Sequence, residues 1–105
     1  MSRIPRPRPI YIISDGTGDT AEKVVRAGLH QFSGYLVHLQ LYPNITEPSA
    51  LIPLMDRAKA ESAFVVITLV HPEMRRFAQD AARERSVQVV DLLDELLQQL
   101  ASFLQ

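Results

Sequence analysis

The stretch that decides the fold is Ile10-Tyr-Ile-Ile-Ser-Asp-Gly-Thr-Gly-Asp-Thr20. Its first four residues are apolar and mostly β-branched, which predicts a short strand buried on both faces. The next seven are all small or acidic turn formers. Beyond them Ala21, Val24, Val25, Gly28, Leu29 and Phe32 recur at steps of three and four, the period of one helix stripe, and Ser33-Gly34 closes it. Asp19 and Glu22 stand three apart, as in a capping box, so Asp19 is expected to cap this helix. A buried strand, a glycine-containing loop and a helix form the opening unit of an open parallel sheet.

The same grammar repeats three times. Tyr35–Tyr42 reads as a second strand, followed by a helix from about Ser49 with Leu51, Leu54, Met55 and Ala58 inward and Pro53 in its first turn. Ala63–Val70 is apolar almost throughout, as a central strand covered on both faces must be. His71-Pro72 opens the next helix, since proline is tolerated at the first helical position, and Met74, Phe77, Ala78 and Ala81 form its stripe. Val87–Val90 is a short fourth strand. Asp91 is then expected to cap a last helix carrying Leu93, Leu96, Leu97, Leu100 and Leu104. Alternating strands and helices require right-handed crossovers, so the expectation is an α/β protein, a three-layer (βα)4 open parallel sheet of Rossmann-like or flavodoxin-like type.

Composition bounds the rest. The 105 residues suffice for one core, read as a single α/β domain over 10–105 behind a basic, proline-rich lead-in over 1–9. That lead-in carries Arg3, Arg6 and Arg8 and is expected to be extended, either a solvated tail or an arm for a phosphate or an acidic partner. Eleven basic against twelve acidic residues argue against a nucleic-acid or polybasic membrane surface. The absence of cysteine removes disulfides, thiolate metal sites and a cysteine nucleophile. No apolar run approaches the ~20 residues that span a bilayer, and the first residues do not resemble a signal peptide, so a cytoplasmic location is expected.

In open parallel sheets ligands bind at the carboxyl ends of strands where the strand order reverses, which directs attention to residues 14–20 and to the turn at 70–72. Gly16 and Gly18 allow close backbone approach; Ser14, Thr17 and Thr20 offer hydroxyls; the following helix presents free N–H groups at its positive end. This is anion-binding chemistry. Asp15 complicates it, and could orient a hydroxyl, hold a hydrated Mg²⁺ or brace the turn. His71 could serve as a general acid or base, as a phosphate ligand, or as a helix cap. The candidate ligand-binding residues are therefore Ser14, Asp15, Gly16, Thr17, Gly18, Thr20 and His71, with no catalytic and no metal-ligating set. Arg75 and Arg76 could add phosphate contacts at the same rim or be solvated.

Known phosphate loops separate cleanly. Gly16-Thr-Gly-Asp-Thr-Ala21 fits the pattern G-x-G-x-x-A, yet the second strand ends Leu39-Gln-Leu-Tyr42 without the acidic residue a nicotinamide ribose needs. The segment also resembles the flavodoxin phosphate loop, with an extra residue after Ser14 and two aspartates. The two lysines, Lys23 and Lys59, follow Glu22 and Ala58, so no Gly-Lys pair and no Walker-type site exists in this sequence. A receiver domain is set aside because Val70-His71 stands where its phosphorylated aspartate would.

Residues 10–25, Ile-Tyr-Ile-Ile-Ser-Asp-Gly-Thr-Gly-Asp-Thr-Ala-Glu-Lys-Val-Val, resemble the opening of the phosphoenolpyruvate synthase regulatory proteins and of the pyruvate, phosphate dikinase regulatory proteins. Val65–Arg75 and Val90–Leu93 resemble that family's next blocks. The resemblance implies the N-terminal domain of a bifunctional protein: an ADP-dependent kinase acting on a threonine of its target enzyme, and a phosphate-dependent pyrophosphorylase that reverses the reaction. It implies phosphoenolpyruvate synthase as partner, together with the protein's own C-terminal P-loop domain, where ADP and phosphate bind outside the matched stretch. It also implies ligand or partner binding rather than catalysis for these residues alone. The alternative is a free-standing α/β protein that binds a nucleotide or FMN through the loop and His71. Surplus leucines on the last helix point to packing on another domain or a second copy, hence a homodimer through that helix.

Overall fold

The computed structural model describes residues 6–105. Four strands, β1 (Arg8–Ser14), β2 (Val37–Tyr42), β3 (Phe64–Thr68) and β4 (Gln88–Asp91), alternate with α1 (Asp19–Leu29), α2 (Pro48–Glu61), α3 (Pro72–Glu84) and α4 (Asp94–Phe103). All strand pairs are parallel, in the order β2-β1-β3-β4. The protein is thus the three-layer open parallel sheet that the alternating pattern implies.

Strand alternation divides the core in two. Tyr11, Ile13, Val65, Ile67 and Leu69 face Leu51, Met55 and Ala58 of α2 and Met74, Ala78, Ala81 and Ala82 of α3. Ile10, Ile12 and Val66 face the opposite way, onto Ala21, with Val25 and Leu29 of α1 packed around them. The α2 and α3 face is the larger because two helices cover it. At about 25 cal/mol per Å² of apolar surface removed from water, a fully buried Ile or Leu contributes on the order of 2–3 kcal/mol, so these central strands carry the stability.

Several boundaries differ from expectation for identifiable reasons. β1 begins at Arg8, within the expected lead-in, because Arg8 and Pro9 find ladder positions opposite Val37 and His38 of β2. Residues 1–5, Arg3 included, lie outside the described residues, so the arm reading is addressed only at Arg6 and Arg8. Asp19 does not cap α1. Gly18 occupies the cap position with φ +83° and no side chain caps the helix, while Glu22 pairs with Arg26 one turn on. Pro53 sits inside α2 rather than in its first turn, because the helix starts with Pro48. Its ring removes the donor that would have reached the Ser49 carbonyl, a loss confined to the helix start, where Pro53 is exposed.

The largest departure is α4. None of its residues is buried, and Leu96, Leu100, Phe103 and the following Leu104 are exposed. Nor does Asp91 cap it. Asp91 ends β4, its Oδ1 accepts a hydrogen bond from the Leu93 N–H at 3.0 Å, and α4 begins three residues later with no side-chain cap. The expected leucine stripe exists, but Leu93 and Leu97 are only half-buried and its other members face solvent.

Beneath β2 the fully buried Tyr11 donates its phenol hydrogen to Glu61 and stacks obliquely on Tyr42, with ring centroids 5.2 Å apart. Burial first, and then the hydrogen bond and charge of Glu61, push the Tyr11 phenol well above its ordinary range. A phenol that holds its proton more tightly when folded contributes stability below its unfolded pKa of ~10, and loses it as pH rises further. Tyr11→Phe is expected to cost about 1 kcal/mol at pH 7, because exposed Glu61 regains water, and to flatten the alkaline limb of stability above pH ~10. Urea titrations from pH 7 to 11 check this; equal alkaline slopes in both proteins would discard it.

Candidate functional site

The strand order reverses between β1 and β3, whose neighbours β2 and β4 diverge on either side. The loops leaving those two strands meet there. Asp15 reaches across and its Oδ2 accepts the Val70 N–H at 2.9 Å, which ties the loop after β1 to the loop after β3. The brace role foreseen for Asp15 is thus occupied by one carboxylate oxygen. The loop after β2 joins the same cluster, with the Asn44 N–H donating to the Gly16 carbonyl at 2.8 Å and the Ile45 N–H to the Ser14 carbonyl at 2.9 Å.

The other loop residues serve the backbone. Ser14 is buried, 5% exposed, and its Oγ accepts the Gly16 N–H at 3.0 Å. The Thr17 Oγ1 accepts the Asp19 N–H at 3.3 Å, and Thr20 lies exposed in the first turn of α1. Gly18 suits its position because its φ of +83° lies in the left-handed region; a Cβ there would also displace the terminal methyl of the exposed Leu41. Gly16, by contrast, has open space, with only Ser14 Oγ at 3.9 Å from a would-be Cβ. Thr68 pairs with Ser14 in register, and its Oγ1 is sealed from solvent with no partner among the described residues.

His71 holds the N-cap of α3, its Nδ1 accepting the Glu73 N–H at 3.3 Å. An accepting Nδ1 leaves the ring proton of the neutral imidazole on Nε2, so the free edge of the ring is a donor. A cavity of ≈ 320 Å³ opens here, lined by Asp15, Thr46, Pro48, His71, Glu73 and Met74. Of the seven candidate residues it gathers Asp15 and His71; Ser14, Gly16, Thr17, Gly18 and Thr20 do not line it. Thr46, Pro48, Glu73 and Met74 were not foreseen as lining residues. Glu73 carried a signal, standing two residues past His71, whereas Thr46 and Pro48 enter only because the loop after β2 bonds back to the loop after β1.

The chemistry of the cavity is acidic. Two carboxylates, a threonine hydroxyl and one imidazole donor line it, and no lysine or arginine does among the described residues. Arg75, a candidate phosphate contact, is directed elsewhere: its Nε donates to Asp91 at 2.9 Å and its Nη2 to Asp94 at 3.0 Å. Gln79 adds a third contact to Asp91 at 3.0 Å. Arg76 is exposed on α3. No group of three or more histidine, aspartate or glutamate side chains that could hold a metal ion occurs among the described residues. No helix is long and apolar enough to cross a membrane among them.

An all-parallel sheet in the order β2-β1-β3-β4 with a cleft at its switch point defines a three-layer α/β protein of Rossmann-like architecture. The chain belongs to the kinase/pyrophosphorylase family, whose model matches residues 10–105. It is 39% identical over 95 residues to a protein of Sorangium cellulosum that carries the name pyruvate, phosphate dikinase regulatory protein, covering 90% of this chain and 34% of that one. A protein of the same name from Chloroflexus aurantiacus is 38% identical over 96 residues, 91% of this chain and 34% of the relative. A third, from Shouchella clausii, is 35% identical over 91 residues, 87% and 34%. The chain spans about a third of the length of the curated relatives it matches.

Proposed function

We propose that these residues form the N-terminal binding domain of a bifunctional regulator, an ADP-dependent serine/threonine kinase and phosphate-dependent pyrophosphorylase acting on pyruvate, phosphate dikinase or phosphoenolpyruvate synthase. In this reading the domain engages a ligand or the target enzyme at the Asp15 and His71 cleft in the cytoplasm. ADP and phosphate bind in other residues, in a P-loop domain. The observation that carries it is the acidic cleft together with the missing Gly-Lys pair. Carboxylates at Asp15 and Glu73 repel a diphosphate that no lysine or arginine of the cleft neutralises, and a β-phosphate without a cation pays heavily for leaving water.

The family match over 10–105 supports the same assignment. The test incubates the 105-residue protein with labelled ADP and the target enzyme, and in parallel measures binding to that enzyme. Expected are no label on the target, measurable binding, and binding weakened at least tenfold by Asp15→Asn with Glu73→Gln. Robust phosphotransfer by this chain alone overturns the proposal.

One observation favours a second reading, a nucleotide or FMN phosphate at the N-terminus of α1. Gly18 offers that end no side-chain cap and Thr17 Oγ1 takes only the Asp19 N–H, so the Thr20 and Ala21 N–H groups are left to meet an anion. Thermal shifts with phosphate, pyrophosphate, ADP and FMN separate the two. A shift abolished by Thr17→Val selects this reading, and silence in all four selects the first.

A further inference from the structure

The lining of the switch-point cavity specifies what can enter it, because its acceptors outnumber its donors. Asp15 is half-buried, and while its Oδ2 is spent on the Val70 N–H, its Oδ1 takes no hydrogen bond among the described residues. Only the backbone N–H of Glu73 is engaged, by His71, and its carboxylate forms no ion pair among the described residues. Thr46 adds a hydroxyl. Arg75 and Arg76 follow Glu73 closely in sequence, yet neither lines the cavity, and Arg75 is held by Asp91 and Asp94. The cavity therefore has two carboxylates that meet no cation of this chain among the described residues.

We infer that the cleft is a socket for one arginine side chain of a partner protein, its guanidinium set against Asp15 Oδ1 and the Glu73 carboxylate; this rests on the reading of the cleft as the partner-binding site of the domain. Size is the first reason. At ≈ 320 Å³ the cavity lies at the lower end of ligand pockets, which run from ~300 to 1,000 Å³, so it admits one long side chain rather than a large cofactor. Its walls are the second. Met74, buried, and Pro48 offer apolar surface to the methylene stem of such a side chain, surface that a hydrated metal ion would leave unused.

Donor geometry is the third reason. The acceptors stand on different elements, Asp15 on the loop after β1 and Glu73 on α3. A guanidinium spreads its N–H donors across one plane and is more weakly hydrated than an ammonium, so it serves two separated carboxylates at a lower desolvation cost than lysine. His71 fits the same guest. With Nδ1 accepting the Glu73 N–H, its Nε2–H is a donor, matched to a main-chain carbonyl beside the arginine rather than to a second cation. Because Asp15 is half-buried, salt and water screen this pairing less than they screen a pair on the open surface.

The test follows backbone amide resonances of the 105-residue protein while N-acetyl-arginine-N-methylamide is added, and then its citrulline counterpart, which has nearly the same shape and no charge. Arginine is expected to shift residues 15, 46, 71 and 73 together, with citrulline binding about tenfold more weakly and the lysine counterpart about threefold more weakly. Glu73→Gln, at an exposed position, is expected to weaken arginine about fivefold without altering the melt. Asp15→Asn keeps an oxygen for the Val70 N–H and is expected to weaken it by as much. Equal binding of arginine and citrulline, or shifts scattered over the surface, overturns the socket. A competition arm separates this from the parent reading: at ten times its own Kd, the blocked arginine is expected to weaken binding of pyruvate, phosphate dikinase about tenfold. Target binding that needs Asp15 and Glu73 yet ignores the blocked arginine overturns the socket and keeps the partner site. Selective arginine binding by a domain indifferent to the target enzyme supports the socket and overturns the parent reading.

Discussion

Asp91→Ala is expected to remove about 3 kcal/mol of stability, lowering Tm by roughly 15 °C in a domain of this size. The Asp91 side chain is 4% exposed and accepts from three donors: Arg75 Nε at 2.9 Å, Gln79 Nε2 at 3.0 Å and the Leu93 N–H at 3.0 Å. Removing the acceptor leaves a largely buried guanidinium short of its closest counter-charge and a backbone donor without a partner, each costly in a low-dielectric surrounding. Against a total stability of ~5–15 kcal/mol this is a large fraction. Asp94→Ala removes the second contact to the same arginine, but Asp94 is 50% exposed, so its loss is expected to cost under ~1 kcal/mol. The double variant Arg75→Met with Asp91→Leu is expected to recover most of the deficit, because a missing buried pair is cheaper than a broken one. Urea unfolding of the four proteins decides it, and equal effects for Asp91→Ala and Asp94→Ala would contradict this account.

Gly18→Val is expected to cost about 3 kcal/mol, while Gly16→Ala is expected to fall within ~0.5 kcal/mol of the parent. Both glycines belong to one loop and read alike in the sequence. At Gly18 a β-branched residue must adopt φ near +83°, where L side chains are strained, and its Cβ displaces the exposed Leu41 side chain, so backbone strain carries most of the cost. At Gly16 the added methyl meets only Ser14 Oγ at ordinary van der Waals distance. Because Gly18 also sets the start of α1 and its carbonyl accepts the Glu22 N–H, its substitution is expected to loosen amide protection over residues 22–25 before the rest of the domain. Hydrogen exchange followed residue by residue reads this out. Uniform protection loss across both sheet faces would instead mean that Gly18 acts only through the core.

The difference between those glycines shows how far the primary structure reached at the candidate site. It placed both in a loop after a buried strand, correctly located the turn at His71, and marked the two as neighbours, because the switch-point rule needs only element order. It could not tell which loop hydroxyls line the cavity. Ser14 and Thr17 spend their oxygens on the N–H groups two residues along, local bonds available to any serine or threonine in a turn. Thr46 and Pro48 reach the cavity through hydrogen bonds between loops some thirty residues apart, which no local pattern encodes.

The last helix teaches the converse. Its leucines announce a buried stripe, yet Leu96, Leu100 and Leu104 face solvent and Leu93 and Leu97 are only half-buried, since amphipathic period records that a face wants cover but not what covers it. Hydrophobic period, proline placement and glycine punctuation determined the alternating elements, the parallel sheet and the family motifs of this protein, because each depends on neighbours within a few residues. Tertiary structure alone decided that Asp15 bridges to Val70, that Arg75 is committed to Asp91 and Asp94, and that the switch-point cleft is acidic. Those outcomes depend on which side chains from distant segments come within about 3 Å of one another, a distance set by packing the layers rather than by any stretch of sequence.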